Sequence, residues 1–398
     1  MNKDIKIGFY FKNNKYENID FSSPQNGNPG VGGVEYMFSL VSYYCANLFE
    51  TYVFANHTNN LSDKTNNITV NSLEDTLKKA DELNINYLVC RSLGNEDDYK
   101  LLNKYNCKII IWAHNFSKLK ELNWISSNRN IVKYVCVGKN QFDLLNGHKI
   151  YKKTTYIYNG LPLEAYKYEN KETNKSICYI GSIIKGKGFD KCCKVWRKLY
   201  DNNIKVDFNI IGSARLYNSK KKLGKYGIAL EEYEKEFIKY LIDNNDNLLK
   251  EVKLFGIQSH LDKVDTINSS YLGISASQEE TFGLIALEFA ALGKPFVALN
   301  TLGYDDVVKN GETGILVYNE EDLYKALLLM LNKDVDEYNK MSNKCVERSK
   351  TFDISEIMND WQLLIEGLES NKDSLNRSKD IPIIKKISNL INLAINYR

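Results

Sequence analysis

The sequence predicts an α/β protein with two doubly wound parallel-sheet domains. Three observations lead there. Short apolar runs alternate with helix-length amphipathic segments in the first half of the chain, and the same scheme starts again in the second half. Strands so short and apolar are those of a parallel sheet covered by helices on both faces. The 398 residues suffice for two domains of ordinary size.

In the first half, strands are expected over residues 5–10, 51–54, 87–90, 109–112 and 134–137, with a helix over 34–48 after the first of them. The run Tyr158-Asn159-Gly160-Leu161-Pro162 marks a domain boundary, and the polar stretch 169–175 reads as a linker. Strands follow over 177–180, 208–211, 252–255, 272–275 and 296–298. The expected division is 1–162 for the first domain and 163–352 for the second. A helix over 353–369 and an extension over 370–398 complete the chain. Within the extension, residues 381–398 form an amphipathic helix with Ile384, Ile387, Leu390, Ile391 and Ala394 on one face and Lys385, Lys386 and Asn389 off it.

Composition excludes several classes. Hydrophobic residues at 43% and charged residues at 26% describe a globular chain rather than a disordered one. A net charge of +3 gives no reason to expect nucleic acid. The eight cysteines contain no C-x-x-C pair, and several fall in strand-like runs, so buried reduced thiols are expected. The chain enters its first strand directly after Met1-Asn2-Lys3-Asp4. It shows neither a signal-peptide pattern nor a run long enough to span a bilayer, and a cytoplasmic location is expected.

The chemistry concentrates in Ser277-Gln278-Glu279-Glu280-Thr281-Phe282-Gly283-Leu284-Ile285-Ala286-Leu287-Glu288. The strand over 272–275 precedes it, and a helix is expected from about Phe282 to Leu292, stopped by Gly293 and Pro295. Glu280 then lies in the loop and Glu288 inside the helix. The N–H groups of Phe282, Gly283 and Leu284 at such a helix start suit a phosphate. Carboxylates on either side of that phosphate can accept hydrogen bonds from sugar hydroxyls, which suits a sugar nucleotide. Two glutamates eight apart are common by chance; the surrounding string is what makes the pattern specific.

Three further places stand out. Gly32 and Gly33, in the glycine-rich loop before the first helix, allow close backbone approach to a ligand. An ordinary turn would explain them equally well. Lys187-Gly188 follows the first strand of the second half and offers a cation to a diphosphate; a solvated loop lysine is the alternative. His114 ends the strand-like run 109–112, at the carboxyl end where open α/β sheets bind ligands, although a single histidine there is more often structural. Metal ligation is not expected. Asp334-Val335-Asp336 follows a leucine-rich helical run, where a helix cap is the better reading, and Asp97-Asp98 reads as a turn.

The string around Glu280 and Glu288 resembles the E-x7-E signature of retaining glycosyltransferases of the GT-B fold, family 4. Ser277, Glu280, Phe282, Gly283, Glu288, Ala290, Gly293 and Pro295 are in register, and Phe289 stands where the family has Ala. Gly32-Gly33-Val34-Glu35 resembles the family's Gly-Gly-x-Glu. The segment 302–314 resembles its Gly-x-x-Glu-x-Val, with Asp306 at the Glu position. The resemblance implies two Rossmann-like domains facing a cleft and a helix that crosses back to the first domain. It implies donor contacts from Gly32, Gly33, Ser182, Lys187, Arg215, Glu280, Thr281, Phe282, Gly283, Leu284 and Glu288. Catalytic roles fall to His114, Glu280 and Lys187. Ser182 stands where the family often has Arg, and Lys185 or Arg215 would compensate.

The implied activity is transfer of a hexose or N-acetylhexosamine from a nucleotide-diphosphate sugar, with UDP favoured, to a hydroxyl of a glycan or lipid-linked acceptor. The setting would be bacterial surface polysaccharide synthesis, without metal or other cofactor. A GT-B epimerase or phosphorylase, and a non-catalytic GT-B subunit assisting a partner, are the alternatives. A dehydrogenase is disfavoured because no G-x-G-x-x-G follows a strand. The C-terminal helix is expected to bury its apolar face on the first domain. The alternative is a peripheral contact at the inner face of the membrane, with Lys385, Lys386 and Arg398 toward anionic lipid.

Overall fold

The computed structural model describes residues 4–169, 175–214, 222–372, 374–375, 377 and 381–397. They divide into two compact units. The first comprises Met1–Pro29, Gly33–Gly160 and Ile354–Arg398; the second comprises Gly30–Gly32 and Leu161–Asp353.

The first unit carries β1 (Lys6–Phe11), α1 (Gly33–Cys45), β2 (Glu50–Ala55), β3 (Asn66–Thr69), α2 (Leu73–Glu82) and β4 (Tyr87–Cys90). It continues with α3 (Glu96–Leu102), β5 (Lys108–Ala113), α4 (Leu119–Ser127), β6 (Ile131–Cys136), α5 (Lys139–Leu144) and β7 (Thr154–Tyr156). Its sheet runs β3-β2-β1-β4-β5-β6-β7, parallel throughout. Chain order reverses between β1 and β4, which makes a topological switch point there. After the leading Lys6 and Lys108, strands β1, β4 and β5 are buried throughout, as expected where helices cover both faces of a parallel sheet.

The second unit repeats the design with β8 (Ser176–Ile180), α6 (Phe189–Asp201), β9 (Asp207–Ile211), α7 (Glu231–Phe237), β10 (Val252–Gly256), α8 (His260–Asn268) and β11 (Leu272–Ser275). After these come α9 (Leu284–Ala291), β12 (Phe296–Leu299), α10 (Tyr304–Val307), β13 (Gly314–Val317), α11 (Glu320–Leu331) and α12 (Val335–Lys350). Its parallel sheet runs β10-β9-β8-β11-β12-β13, with the reversal between β8 and β11. Trp196 of α6 stacks on Phe208 at 5.6 Å between centroids, and its indole N–H reaches the Val206 carbonyl at 3.0 Å. That bond satisfies the polar atom the ring would otherwise bury unpaired.

The expected α/β class with two doubly wound sheets is the one observed. Three strands went unforeseen: β3, β7 and β13. Helix α1 stops at Cys45 rather than at 48. Asp97 and Asp98 lie in the first turn of α3, not in an isolated turn, with Asn95 capping through the Asp98 N–H at 2.9 Å. Asp334 caps α12 by accepting the Glu337 N–H at 2.8 Å. All eight cysteines are buried and unbridged.

Two C-terminal helices, α13 (Ile354–Glu369) and α14 (Ile383–Asn396), belong to the first unit. Trp361 of α13 meets Trp112 of β5 edge-on at 5.1 Å. Helix α14 corrects the expectation that its apolar face is buried. Only Leu393 enters the core, while Ile383, Ile384, Ile387, Leu390, Ile391 and Ile395 are exposed. Asn389, expected on the solvent side, instead faces the unit and donates to the Asp143 and Asn146 carbonyls at 2.9 and 3.1 Å. Among the described residues no helix is long and apolar enough to cross a membrane.

Candidate functional site

In the second unit, the loops leaving β8 and β11 meet at the switch point, where open α/β sheets bind ligands. The loop after β8 carries Lys187 and ends at Gly188, whose φ of +63° places it in the left-handed region. A Cβ there would lie 2.0 Å from the Ala276 carbonyl oxygen, in the loop after β11. Glycine therefore permits both the backbone conformation and the contact. The Gln278 N–H donates to the Gly186 carbonyl at 3.0 Å and ties the loops further. Lys187 Nζ then reaches Glu280 Oε1 at 2.7 Å, with both side chains partly exposed. The Glu280 carbonyl accepts the Gly303 N–H at 2.9 Å, which fixes the loop from its other side.

Helix α9 begins at Leu284, two residues later than expected. Gly283 precedes it with φ +89°, and a Cβ there would lie 2.7 Å from the Tyr304 ring. Tyr304 is held in turn by donating to Ser275 Oγ at 2.8 Å. Phe282 is buried edge-on against Phe352, 5.4 Å between centroids. Thr281 and Leu284 are half-buried beside them. The first-turn amides of α9 have no intrahelical acceptor, so this end of the helix suits an anion.

Glu288 lies one turn inside α9 and is only 3% exposed. Its Oε1 accepts from Lys263 Nζ at 2.5 Å and from the Tyr166 hydroxyl at 2.9 Å. Its Oε2 is buried without a hydrogen-bond partner. An acceptor left unsatisfied in the interior costs free energy, so a ligand hydroxyl would find a waiting partner there. Lys263 comes from α8. Also on α8, His260 Nε2 donates to the Ala165 carbonyl at 2.9 Å and holds the neighbouring Tyr166 segment in place.

The remaining expected residues are placed as follows. Ser182 is buried after β8, and its carbonyl accepts from the Tyr179 hydroxyl at 3.1 Å. Arg215 lies outside the described residues. Lys185 does not turn toward Glu280; it pairs with Glu236 on the surface, 3.0 Å to either oxygen. Asp306 is buried in α10. Gly32 groups with the second unit, while Gly33 opens α1 in the first.

His114 follows β5 in the first unit and packs against Trp112 at 4.3 Å and Phe38 at 5.9 Å. Burial, aided by the Arg91 charge, pushes its pKa down to about 3 and keeps the imidazole neutral. Arg91 follows β4 and pairs with Glu35 of the Gly-Gly-x-Glu motif at 3.1 Å. Sequence reading missed Arg91 and Lys263. Arg91 carried a usable signal, since it directly follows an apolar strand on the carboxyl-end side. Lys263 had a weaker one, a charge on the helix face shared by His260, Val264 and Ile267.

Both units are Rossmann-like, and the chain has the two-domain architecture of GT-B proteins. HepE of Anabaena, solved in complex with UDP-glucose, superposes with a TM-score of 0.67 over 92% of this chain and 100% of that one, at 15% identity. Residues 164–352 match the model of the family Glycosyl transferases group 1. Among curated relatives, an uncharacterized 41.2 kDa protein in the cps region of Klebsiella pneumoniae is 25% identical over 66% of this chain and 72% of its own length. The capsular polysaccharide biosynthesis glycosyltransferase CapM of Staphylococcus aureus is 24% identical over 45% of this chain and 44% of its own. Fold and matched segment together support a glycosyltransferase of the GT-B fold.

Proposed function

We propose that this chain is a retaining, metal-independent glycosyltransferase of family 4. It moves a hexose or N-acetylhexosamine from a UDP-sugar to a hydroxyl of a glycan or lipid-linked acceptor in surface polysaccharide synthesis. The observation that carries this reading is the arrangement at the β8/β11 switch point. Lys187 and Glu280 meet beside the start of α9, and Glu288 presents an unpartnered buried oxygen one turn further in. The relatives from a cps region and from capsule biosynthesis support the setting, and the UDP-glucose complex of HepE supports the donor.

In this reading Glu288 Oε2 accepts from ribose hydroxyls. The diphosphate takes Lys187 from Glu280 and lies at the α9 N-terminus, which leaves Glu280 to accept from the sugar. The resemblance assigns His114, neutral in the first unit, a contact with the sugar. The acceptor oxygen attacks the anomeric carbon on the face the leaving group departs from. The bond from that carbon to the β-phosphate oxygen breaks with its electron pair staying on UDP, and that oxygen takes the acceptor proton. Lys187 and the α9 dipole stabilise the charge that develops there.

The test is incubation with a panel of UDP-sugars and hydroxyl acceptors, following UDP release and the product's anomeric configuration by NMR. An α-linked product from an α-linked donor, formed in the presence of chelator, is expected. A β-linked product would overturn retention. Loss of activity with EDTA and its recovery with manganese would overturn metal independence.

A further inference from the structure

We infer that α14 docks the first unit onto an anionic lipid surface. In a helix each residue turns about 100°. Ile383, Ile384, Ile387, Leu390, Ile391 and Ile395 therefore share one arc of roughly 140°. Asn389 and Leu393, which hold the helix to the unit, lie outside that arc. Exposures of 72% for Ile383, 79% for Ile384 and 71% for Ile395 show that the stripe faces outward. Single exposed apolar residues are ordinary, but a contiguous stripe on a helix anchored from its other side marks an interaction surface. The anchoring is specific. The Leu119 N–H donates to the Tyr397 carbonyl, Phe116 stacks on Tyr397 at 4.8 Å, and Gly147 admits the Lys386 backbone where a Cβ would lie 2.8 Å from its carbonyl oxygen.

Charge selects the occupant. Helix α14 contains Lys385 and Lys386 and no acidic residue. The helix rests on Phe116, Leu119, Asp143, Asn146 and Gly147, and the stretch 116–153 that contains them carries eight basic residues (Lys118, Lys120, Arg129, Lys133, Lys139, Lys149, Lys152, Lys153) against two acidic ones, Glu121 and Asp143. Glu121 is buried and accepts from the Tyr99 hydroxyl at 2.6 Å, and Asp143 pairs with Lys139. Neither offsets the exposed lysines 118, 149 and 152, while Lys120 lies within the electrostatic reach of Glu96 on α3. Lys118 and Lys120 flank the residue that bonds Tyr397, and Lys149 follows closely on Gly147, so their backbone lies beside the helix; Lys120 Nζ sits over the Trp124 ring at 5.0 Å and Lys149 Nζ donates to Ser127 Oγ at 3.2 Å. An apolar stripe rimmed by lysines fits the boundary between acyl chains and anionic headgroups. A second copy of this chain would bring like charge to like charge. The docking face lies wholly in the first unit and holds whether or not the second unit transfers sugar.

The experiment is flotation of the full chain with phosphatidylcholine vesicles containing about a third phosphatidylglycerol, compared with phosphatidylcholine alone. Binding to the anionic vesicles is expected, with affinity at least roughly tenfold higher than for the neutral ones and lowered by salt. Ile384→Asp/Ile391→Asp should abolish it with an unchanged melting temperature, since both side chains are already in water. Lys149→Glu/Lys385→Glu should remove the preference for phosphatidylglycerol. Failure of the wild-type chain to float would overturn the proposal, as would equal flotation of the Asp variant. Sedimentation showing a dimer that the Asp variant dissociates would assign the stripe to a second copy and overturn it equally.

Discussion

Lys263 and Glu288 form a buried ion pair in which one carboxylate oxygen accepts two hydrogen bonds, from Lys263 and Tyr166, and the other has no hydrogen-bond partner. The pair thus orients Glu288 without saturating it. Removing one member of a buried pair leaves an uncompensated charge, at a cost of roughly 3–5 kcal/mol. Lys263→Met should therefore lower stability by that order in denaturant melts. Lys263→Met/Glu288→Met should recover much of the loss, because well-packed apolar residues replace a buried pair at little cost. The double variant should nonetheless fail to bind UDP in calorimetry, and Glu288→Gln alone should weaken binding by about 1–3 kcal/mol. UDP affinity retained in the double variant would reduce Glu288 to a structural residue.

The alternation of apolar runs and amphipathic segments sufficed to read the two sheets, because buried parallel strands have no polar face to confuse the pattern. It failed where that condition fails. Strand β3, Asn66–Thr69, is a polar edge strand with no fully buried residue. Strand β7 spans only Thr154–Tyr156 and holds two threonines. Strand β13 begins at Gly314, inside a segment read for its motif alone. The approach of Lys187 to Glu280 was not written in either motif. It depends on Gly188 lying against Ala276, a contact between residues far apart in sequence. The outward turn of α14 had the same cause. Periodicity located its apolar face but could not show that Asn389 would find two carbonyls on the other side.

The ion pair between Lys187 and Glu280 is partly solvated, so its net contribution to stability is small, at most about 1 kcal/mol. Its members should be separable by function. Lys187→Ala is expected to lower both UDP affinity and turnover, because the diphosphate loses its cation. Glu280→Ala should leave UDP affinity unchanged or raised, having freed Lys187, while turnover falls by more than tenfold. Steady-state kinetics with calorimetry would check this. Equal losses of UDP affinity in the two variants would contradict the division.

Gly188 should tolerate no side chain. A Cβ at 2.0 Å from a carbonyl oxygen forces the two loops apart, and the left-handed backbone adds about 1–2 kcal/mol of strain. Gly188→Ala should therefore lower the melting temperature by several degrees and weaken UDP binding, because Lys187 moves away from the start of α9. Gly186, with nothing near its Cβ, is the control: Gly186→Ala should change neither. Like behaviour of the two variants would show that loop packing does not set the site.

His114 predicts a pH dependence with a definite sign. Its pKa falls from 6.5 to about 3 on folding, first through burial and then through Arg91. Above pH 6.5 both folded and unfolded chains hold it neutral, and it contributes no slope. Below 6.5 the unfolded chain takes up a proton that the folded chain refuses, so stability falls as pH falls, down to about 3. The slope from this one residue is at most about 1.4 kcal/mol per pH unit. His148 and His260, also shifted down by burial, add in the same direction. His114→Asn removes the titration and should flatten melting temperature against pH between about 4 and 6.5 relative to the wild-type chain. It should not flatten the profile above pH 7. If instead wild type and variant lose stability in parallel across that window, His114 is reached by protons in the fold, and its assignment as a neutral group beside the sugar fails with it.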